Sequence, residues 1–452
     1  MILISSHSTI VTIILTIVAL FGLSFIIYFT IAQKNQFVYY LFLFKPFIDT
    51  TVEIRYFSLS ALDITGIYLF IFLLINFFTS SRNKDILNNN KIVLFLVLHV
   101  LAAFYFNFND SDAKLIDSVI TLIKMVDAFL IYYFASTYMR DYSNRIKIYK
   151  IIWISLLILG IIYLITIITD NSRKVYGSVD TYLRYSGLYN DPGTPSYQAV
   201  YSLLFGSLYL KLQTLQGIKI SMKMKYLYRF TWIITLVIMW FALTKSAILM
   251  LVVFLILKHF QLKKYNVVFI IPFIMFLFII AYNYSTMLQN RFSNEQIFIE
   301  QRSFDSAGSV GSGRVNRWLT IMDVYLTEYT VYEKIFGTFK TYGAHNQYLA
   351  FLTSIGIFGV TIFLLICISF YRRLRFIYRR CRSIEYYYTI MLLFIILIYS
   401  ITGHPFYYTT LLWYLMLMLA LSNIHIMPII KTKSKSVRNI SDNQINTIRT
   451  TF

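Results

Sequence analysis

The chain alternates between long apolar runs and short polar breaks, and the runs have the length of membrane helices. A stretch of about 17–25 apolar residues crosses a bilayer as a helix. That rule places spans near 8–32, 58–79, 91–107, 113–138, 147–169, 196–212, 228–242, 244–260, 265–283, 346–370, 384–402 and 408–426. The expected fold is therefore all-α and polytopic, with about twelve transmembrane helices. Membrane barrels instead need short segments of alternating polarity, and the runs are not of that kind. The first run exceeds the length of a signal-peptide core and no small-residue cleavage site follows it, so it reads as a retained span. The spans divide the chain into a helical block over 1–283, a large loop over 284–345, a second helical block over 346–426 and a basic tail over 427–452.

Composition sharpens this picture. Hydrophobic residues make up 58% and charged residues 13% of the chain, against about 45–50% and 25% in soluble domains. A water-soluble core is excluded. Two cysteines, Cys367 and Cys381, supply neither a disulfide framework nor a thiolate metal site. The formal charge of +21 follows the loops. Cations gather at Arg82 to Lys91, Arg140 to Lys150, Lys211 to Arg229, Lys258 to Lys264, Arg372 to Arg382 and in the tail. These are alternate loops, so the positive-inside rule makes them cytoplasmic, together with both termini. The basic excess then reflects topology and contact with anionic inner-leaflet lipid, and no nucleic-acid partner is implied.

The opposite face owns the long loops, 33–57, 170–195 and 284–345. Long loops in compact proteins are commonly functional. The last holds Arg291, Arg302, Arg314, Arg317, Lys334 and Lys340, on a side where topology disfavours cations. For Arg291, Lys334 and Lys340, pairing with neighbouring acids such as Glu295 and Glu333 on a solvated surface is a sufficient explanation. Arg314 and Arg317 differ, because they follow Gly311-Ser312-Gly313 at an expected helix start. Their i, i+3 spacing puts both guanidinium groups on one helix face, where the helix dipole adds to their attraction for an anion. Arginine's planar fork suits phosphate oxygens.

Of the histidines, His345 and His404 fall on this outer face. His345 precedes a span and follows Gly343-Ala344, a position open to general acid/base work, to substrate orientation, or to a structural role. Lys245 sits where two spans meet, and Arg184 and Asp191 occupy a turn-rich segment before another span. Within the membrane, Lys124 and Asp127 at i, i+3 are expected to form an intrahelical ion pair, although charges at that depth are also functional candidates. Asp110-Ser111-Asp112 matches a metal-binding DxD only over three residues, and no metal or cofactor is expected.

Four segments, taken in order, resemble the O-antigen and capsular-polysaccharide repeat-unit polymerases, a superfamily that also contains the O-antigen ligases. They are Arg184 to Pro192, Lys245 at the tight turn, Ser312-Gly313-Arg314 with Trp318, and His345-Asn346 with Tyr348, Leu349, Gly356 and Gly359. They cover roughly residues 180–360, and Lys245 stands where the family usually has arginine. The resemblance implies a GT-C-like membrane glycosyltransferase architecture. It also implies undecaprenyl-pyrophosphate-linked oligosaccharide substrates at the outer leaflet of a bacterial cytoplasmic membrane, with a chain-length regulator and a flippase as companions. Under it, His345 and Arg314 would be catalytic. Arg184, Lys245, Arg317, Asn346 and Tyr348 would bind pyrophosphate or sugar. A ligase of the same superfamily and a flippase for lipid-linked oligosaccharide are the alternatives.

Overall fold

In the computed structural model, the described residues are 2–3, 9–51, 55–56, 59–79, 90–109, 115–139, 142–176, 183–189, 191–261, 314–340, 342–381, 383–406 and 409–423, with isolated positions 282, 283, 285, 289 and 292. The expected span at 265–283, apart from 282 and 283, lies outside them. So do the basic tail, Asp110-Ser111-Asp112, Arg291, Arg302 and Gly311 to Gly313.

The protein is a mostly helical membrane protein. Its helices run α1 Thr9–Ala32, α2 Lys34–Asp49, α3 Ala61–Thr79, α4 Asn90–Asn109, α5 Leu115–Tyr138, α6 Tyr142–Ile168, α7 Gly193–Leu215, α8 Met222–Ala242, α9 Lys245–Gln261, α10 Arg314–Thr327, α11 Val331–Phe336, α12 Gln347–Cys381, α13 Ile384–Tyr399 and α14 Thr409–Asn423. Every predicted span within the described residues coincides with a helix. Among those residues, four stretches are long and apolar enough to cross a membrane: Ala61–Thr79, Ser118–Tyr138, Ser143–Ile168 and Gln347–Arg379. Shorter apolar helices accompany them at Thr16–Ala32, Lys91–Tyr105, Ile384–Tyr399 and Leu411–Ser422. Large apolar side chains point outward along these helices, with Ile31 at 78%, Phe78 at 76% and Ile168 at 83% exposure. In water such a surface would be a liability; against lipid it is the solvated face.

Packing follows small residues and aromatic rings. α6 lies against α7 at Gly206, where an added Cβ would stand 2.8 Å from the Trp153 ring, and against α8 at Gly160, where it would meet Ile234 at 2.9 Å. Close approach of backbones supplies dispersion where burial from lipid gives little hydrophobic drive. Polar groups inside the bundle are matched across helices: the Trp153 indole donates to Thr231 Oγ1 at 3.0 Å, and Ser207 and Tyr388 hydroxyls meet at 2.7 Å.

Three findings depart from the sequence expectations. The segment 33–57 is not simply an outer loop, because α2 occupies most of it and buries Phe37, Leu41, Phe42, Lys45 and Ile48. Its 16 residues span about 24 Å at 1.5 Å per residue, short of a bilayer core of about 30 Å; two lysines and Pro46 further break its apolar run. Arg145, assigned by its charge to a cytoplasmic loop, is buried on α6 and pairs at 3.2 Å with Glu385 on α13. Tyr149 donates to the same carboxylate at 3.0 Å. Strands also appear in two small antiparallel sheets: β1 Ile2–Leu3, β2 Arg55–Tyr56 and β3 Leu59–Ser60, and the hairpin of β4 Arg173–Tyr176 with β5 Leu183–Gly187.

α12 is broken rather than continuous. Gly356 adopts φ 67 and ψ −178 in its interior, a left-handed conformation that favours glycine. The segment after α11 docks into this break, where Thr338 and Phe339 amides donate to the Thr353 and Ser354 carbonyls at 2.9 Å. A Cβ on Gly356 would come 2.1 Å from the Ile335 carbonyl oxygen, and one on Gly337 would come 2.3 Å from the Ile355 nitrogen. Backbone groups freed by a kink at membrane depth must find partners inside the protein, and this loop provides them.

Candidate functional site

One end of the bundle gathers the starts of α7, α9 and α12 and the ends of α8 and α13. α10 lies across it. From this helix the Arg317 guanidinium donates to the Gly343 carbonyl at 3.2 Å, and the Trp318 indole to the Ala344 carbonyl at 2.8 Å. Both contacts hold the residues just before α12. Arg314, one turn earlier, donates to the Thr402 carbonyl at 3.1 Å in the turn after α13. That turn is fastened to α12 by Gln347, whose amide donates to the Ser400 carbonyl at 2.7 Å and whose Oε1 accepts from the Phe406 amide at 3.0 Å.

The two fastened segments carry His345 and His404, whose rings lie 6.0 Å apart. His345 itself has φ 46, in the left-handed region. Non-glycine residues rarely adopt it, and such strain concentrates at functional sites. Here it turns the chain sharply into α12. His345 is exposed, but partial desolvation of its ring, followed by the Arg314 and Arg317 charges, lowers its pKa, with Asp191 opposing the shift. His404 falls from 6.5 to about 4, chiefly through burial, then through His345 and Arg314. Both imidazoles are thus biased toward the neutral, proton-accepting form, beside two permanently charged guanidiniums.

Asp191 is the acid of this cluster. Its charge acts on His345 and on Tyr197, and Tyr197 reaches Ser246 at 3.0 Å and packs at a tilt against Tyr399, with ring centroids 4.1 Å apart. Lys245 begins α9 next to Ser246, and its ammonium lies 4.9 Å from the Phe292 ring. The turn before it is as tight as expected, with Leu243 left-handed at φ 43 and Thr244 donating to the Pro192 carbonyl at 3.2 Å. An open cavity of about 400 Å³ adjoins the cluster, lined by Asn316, Arg317, Thr320, Ile321, Val324 and Tyr342.

The sequence candidates divide accordingly. Arg314, Arg317 and His345 come together. Arg184 stands on β5, half-buried with its Nε unpartnered, and no described contact joins it to that group. Asn346 spends its side-chain carbonyl on capping α12, accepting from the Tyr348 and Leu349 amides at 3.0 and 3.1 Å. Tyr348 turns inward, its hydroxyl donating to the Leu397 carbonyl at 2.9 Å. Lys334 donates to the Leu326 carbonyl at 2.8 Å, while Glu333 closes the capping box of α11 with Thr330. The surface pairing anticipated for Lys334 with an acid is replaced by that backbone contact. Sequence reading left out Tyr197 and Ser246 altogether; a polar pair facing across two helix starts carries no local signal.

No protein-family model matches the chain, and no curated protein matches it. Function is therefore argued from the residues.

Proposed function

We propose that the protein is a polysaccharide polymerase of the bacterial cytoplasmic membrane. It joins undecaprenyl-pyrophosphate-linked oligosaccharide repeat units on the extracytoplasmic face, building O-antigen, capsule or exopolysaccharide. The observation that carries this reading is the meeting of Arg314 and Arg317 with His345, an imidazole whose proton affinity is depressed, at one end of an apolar bundle. A lipid-linked pyrophosphate needs both an apolar anchor and cations at the membrane surface. Each arginine has given one N–H to a described backbone carbonyl out of five donors, and the rest suit phosphate oxygens.

The reaction is a glycosyl transfer. The acceptor sugar hydroxyl attacks the anomeric carbon of the donor repeat unit, the bond to pyrophosphate breaks, and undecaprenyl pyrophosphate leaves with the bonding electrons. Arg314 and Arg317, with Lys245 at the start of α9, neutralise charge developing on the leaving group. His345 takes the proton of the attacking hydroxyl. In this reading the architecture is GT-C-like with about twelve spans and both termini in the cytoplasm. A chain-length regulator and a flippase are its expected companions.

The buried charges on α2 and α5 favour one second reading, a transporter for the same lipid-linked glycan. Purified protein in liposomes with a synthetic lipid-linked repeat separates the two. A product ladder with release of undecaprenyl pyrophosphate is the expected result. Movement of labelled lipid between leaflets without covalent change would replace polymerase by transporter, and a single transfer to a foreign acceptor would replace it by ligase.

A further inference from the structure

Five ionisable side chains sit apart from the cluster of Arg314, Arg317 and His345, among the packed helices. α2 contributes Lys45 and Asp49, α3 contributes Asp63, and α5 contributes Lys124 and Asp127. Lys45 pairs with Asp49 one turn later. Lys124 reaches across to Asp63 at 2.6 Å, which replaces the intrahelical Lys124–Asp127 pair expected from spacing. Asp127 is left over. It is 0% exposed, and neither of its carboxylate oxygens has a hydrogen-bond partner. Its Oδ2 lies against α3 at Gly66, where an added Cβ would stand 3.7 Å away.

A carboxylate deprived of both water and donors is far costlier than the neutral acid. It can be relieved by a lysine, a metal ion or a proton. Lys45 lies within electrostatic reach of Asp127 but is engaged by Asp49, and Lys124 is engaged by Asp63. Among the described residues, no group of three His, Cys, Asp or Glu side chains could hold a metal ion. A metal would also add positive charge beside two lysines. Among the described residues, the one charge found to act on Asp127 is that of Lys45. α14 presents the Tyr414 hydroxyl, whose electrostatic neighbours include Asp49. His99 of α4 is bound to the Phe95 carbonyl at 2.9 Å and packed on Phe351.

We propose that Asp127 is a proton-binding site inside the membrane helices, holding a proton while Lys45 remains on Asp49. The exchange it permits is balanced. If Lys45 turns to Asp127, the acid O–H bond breaks and the carboxylate takes the ammonium as its counter-ion. Asp49, now without its lysine, accepts the proton. One proton thereby passes from α5 to α2 with no change in net charge. This site is independent of the polymerase reading and is compatible with transport or with a structural rearrangement during synthesis.

The test is infrared difference spectroscopy of the full chain in phosphatidylcholine nanodiscs at neutral pH. The wild type should show the C=O stretch of a protonated, weakly hydrogen-bonded carboxyl group. Asp127→Asn should lose one such band per chain, Asp63→Asn should keep it, and the thermal midpoint of Asp127→Asn should stay at the wild-type value because a neutral amide replaces a neutral acid. Should Asp127→Asn fail to fold, Asp127→Glu retains the carboxyl and should move the band in frequency. A wild type without the band, or a band untouched by either variant, overturns the proposal. Loss of the band on adding sodium or potassium at constant pH would also overturn it, in favour of a metal site.

Discussion

The cluster at the bundle end and the interior cluster hold similar side chains under opposite rules. At the bundle end, Arg314 and Arg317 are tied to backbone carbonyls, so their charge is not cancelled by what positions them. In the interior, Lys45 and Lys124 are tied to carboxylates, and one acid remains without a donor. A cation held by a carbonyl keeps its attraction for an anion, whereas a cation held by a carboxylate has spent it. Charge matching therefore distinguishes a surface whose cations stay open to an anion from an interior that must be neutral to exist.

Breaking the interior should have the largest effect. Lys45→Ala leaves Asp49 buried without its ammonium and is expected to cost about 3–5 kcal/mol, read as a lower thermal midpoint in detergent. Adding Asp49→Asn should restore much of it. At the bundle end, His345→Ala should leave the midpoint unchanged and reduce ladder formation by about 10²–10⁴-fold, the usual worth of a general base. Equal activity in that variant would remove His345 from the chemistry.

Acid should then separate the two regions. The folded His404 pKa is about 4 against 6.5 unperturbed, so the folded form prefers neutral His404. Its stability is complete above pH 6.5 and is lost as pH falls toward 4, by about 3 kcal/mol for a shift of this size. His404→Asn should flatten the unfolding free energy across that window. A subtler change is expected from Arg314→Gln. With one neighbouring cation removed, His345 binds its proton more readily, so the acid limb of the pH–rate profile should move to higher pH. Arg314→Lys, which keeps the charge, should leave that limb in place. The smallest effect should come from Tyr348→Phe, which deletes one bond to Leu397 at a cost of about 1 kcal/mol and leaves product length unaltered on gels.

Much of this was legible in the chain, and the exceptions share a cause. Helix positions followed from apolar length, and the tight turn at Lys245 and the helix start at Arg314 followed from local residues. α2 was missed because a helix too short to cross the bilayer, interrupted by Lys45 and Pro46, looks like loop when only its own residues are considered. The Lys124–Asp127 expectation failed similarly: i, i+3 spacing permits a pair, but Asp63 on another helix gave Lys124 a closer partner. Asn346 and Tyr348 were singled out beside His345, where the fold uses one to cap α12 and the other to brace it.

The sequence by itself determined the solvent of this protein, since apolar runs of membrane length leave no soluble alternative, and it determined which polar residues had to lie near the helix ends. The tertiary structure alone decided which charges are cancelled. Neutralisation depends on distances between helices far apart in the chain, such as α3 with α5 or α10 with the turn after α13, and no local pattern encodes those distances.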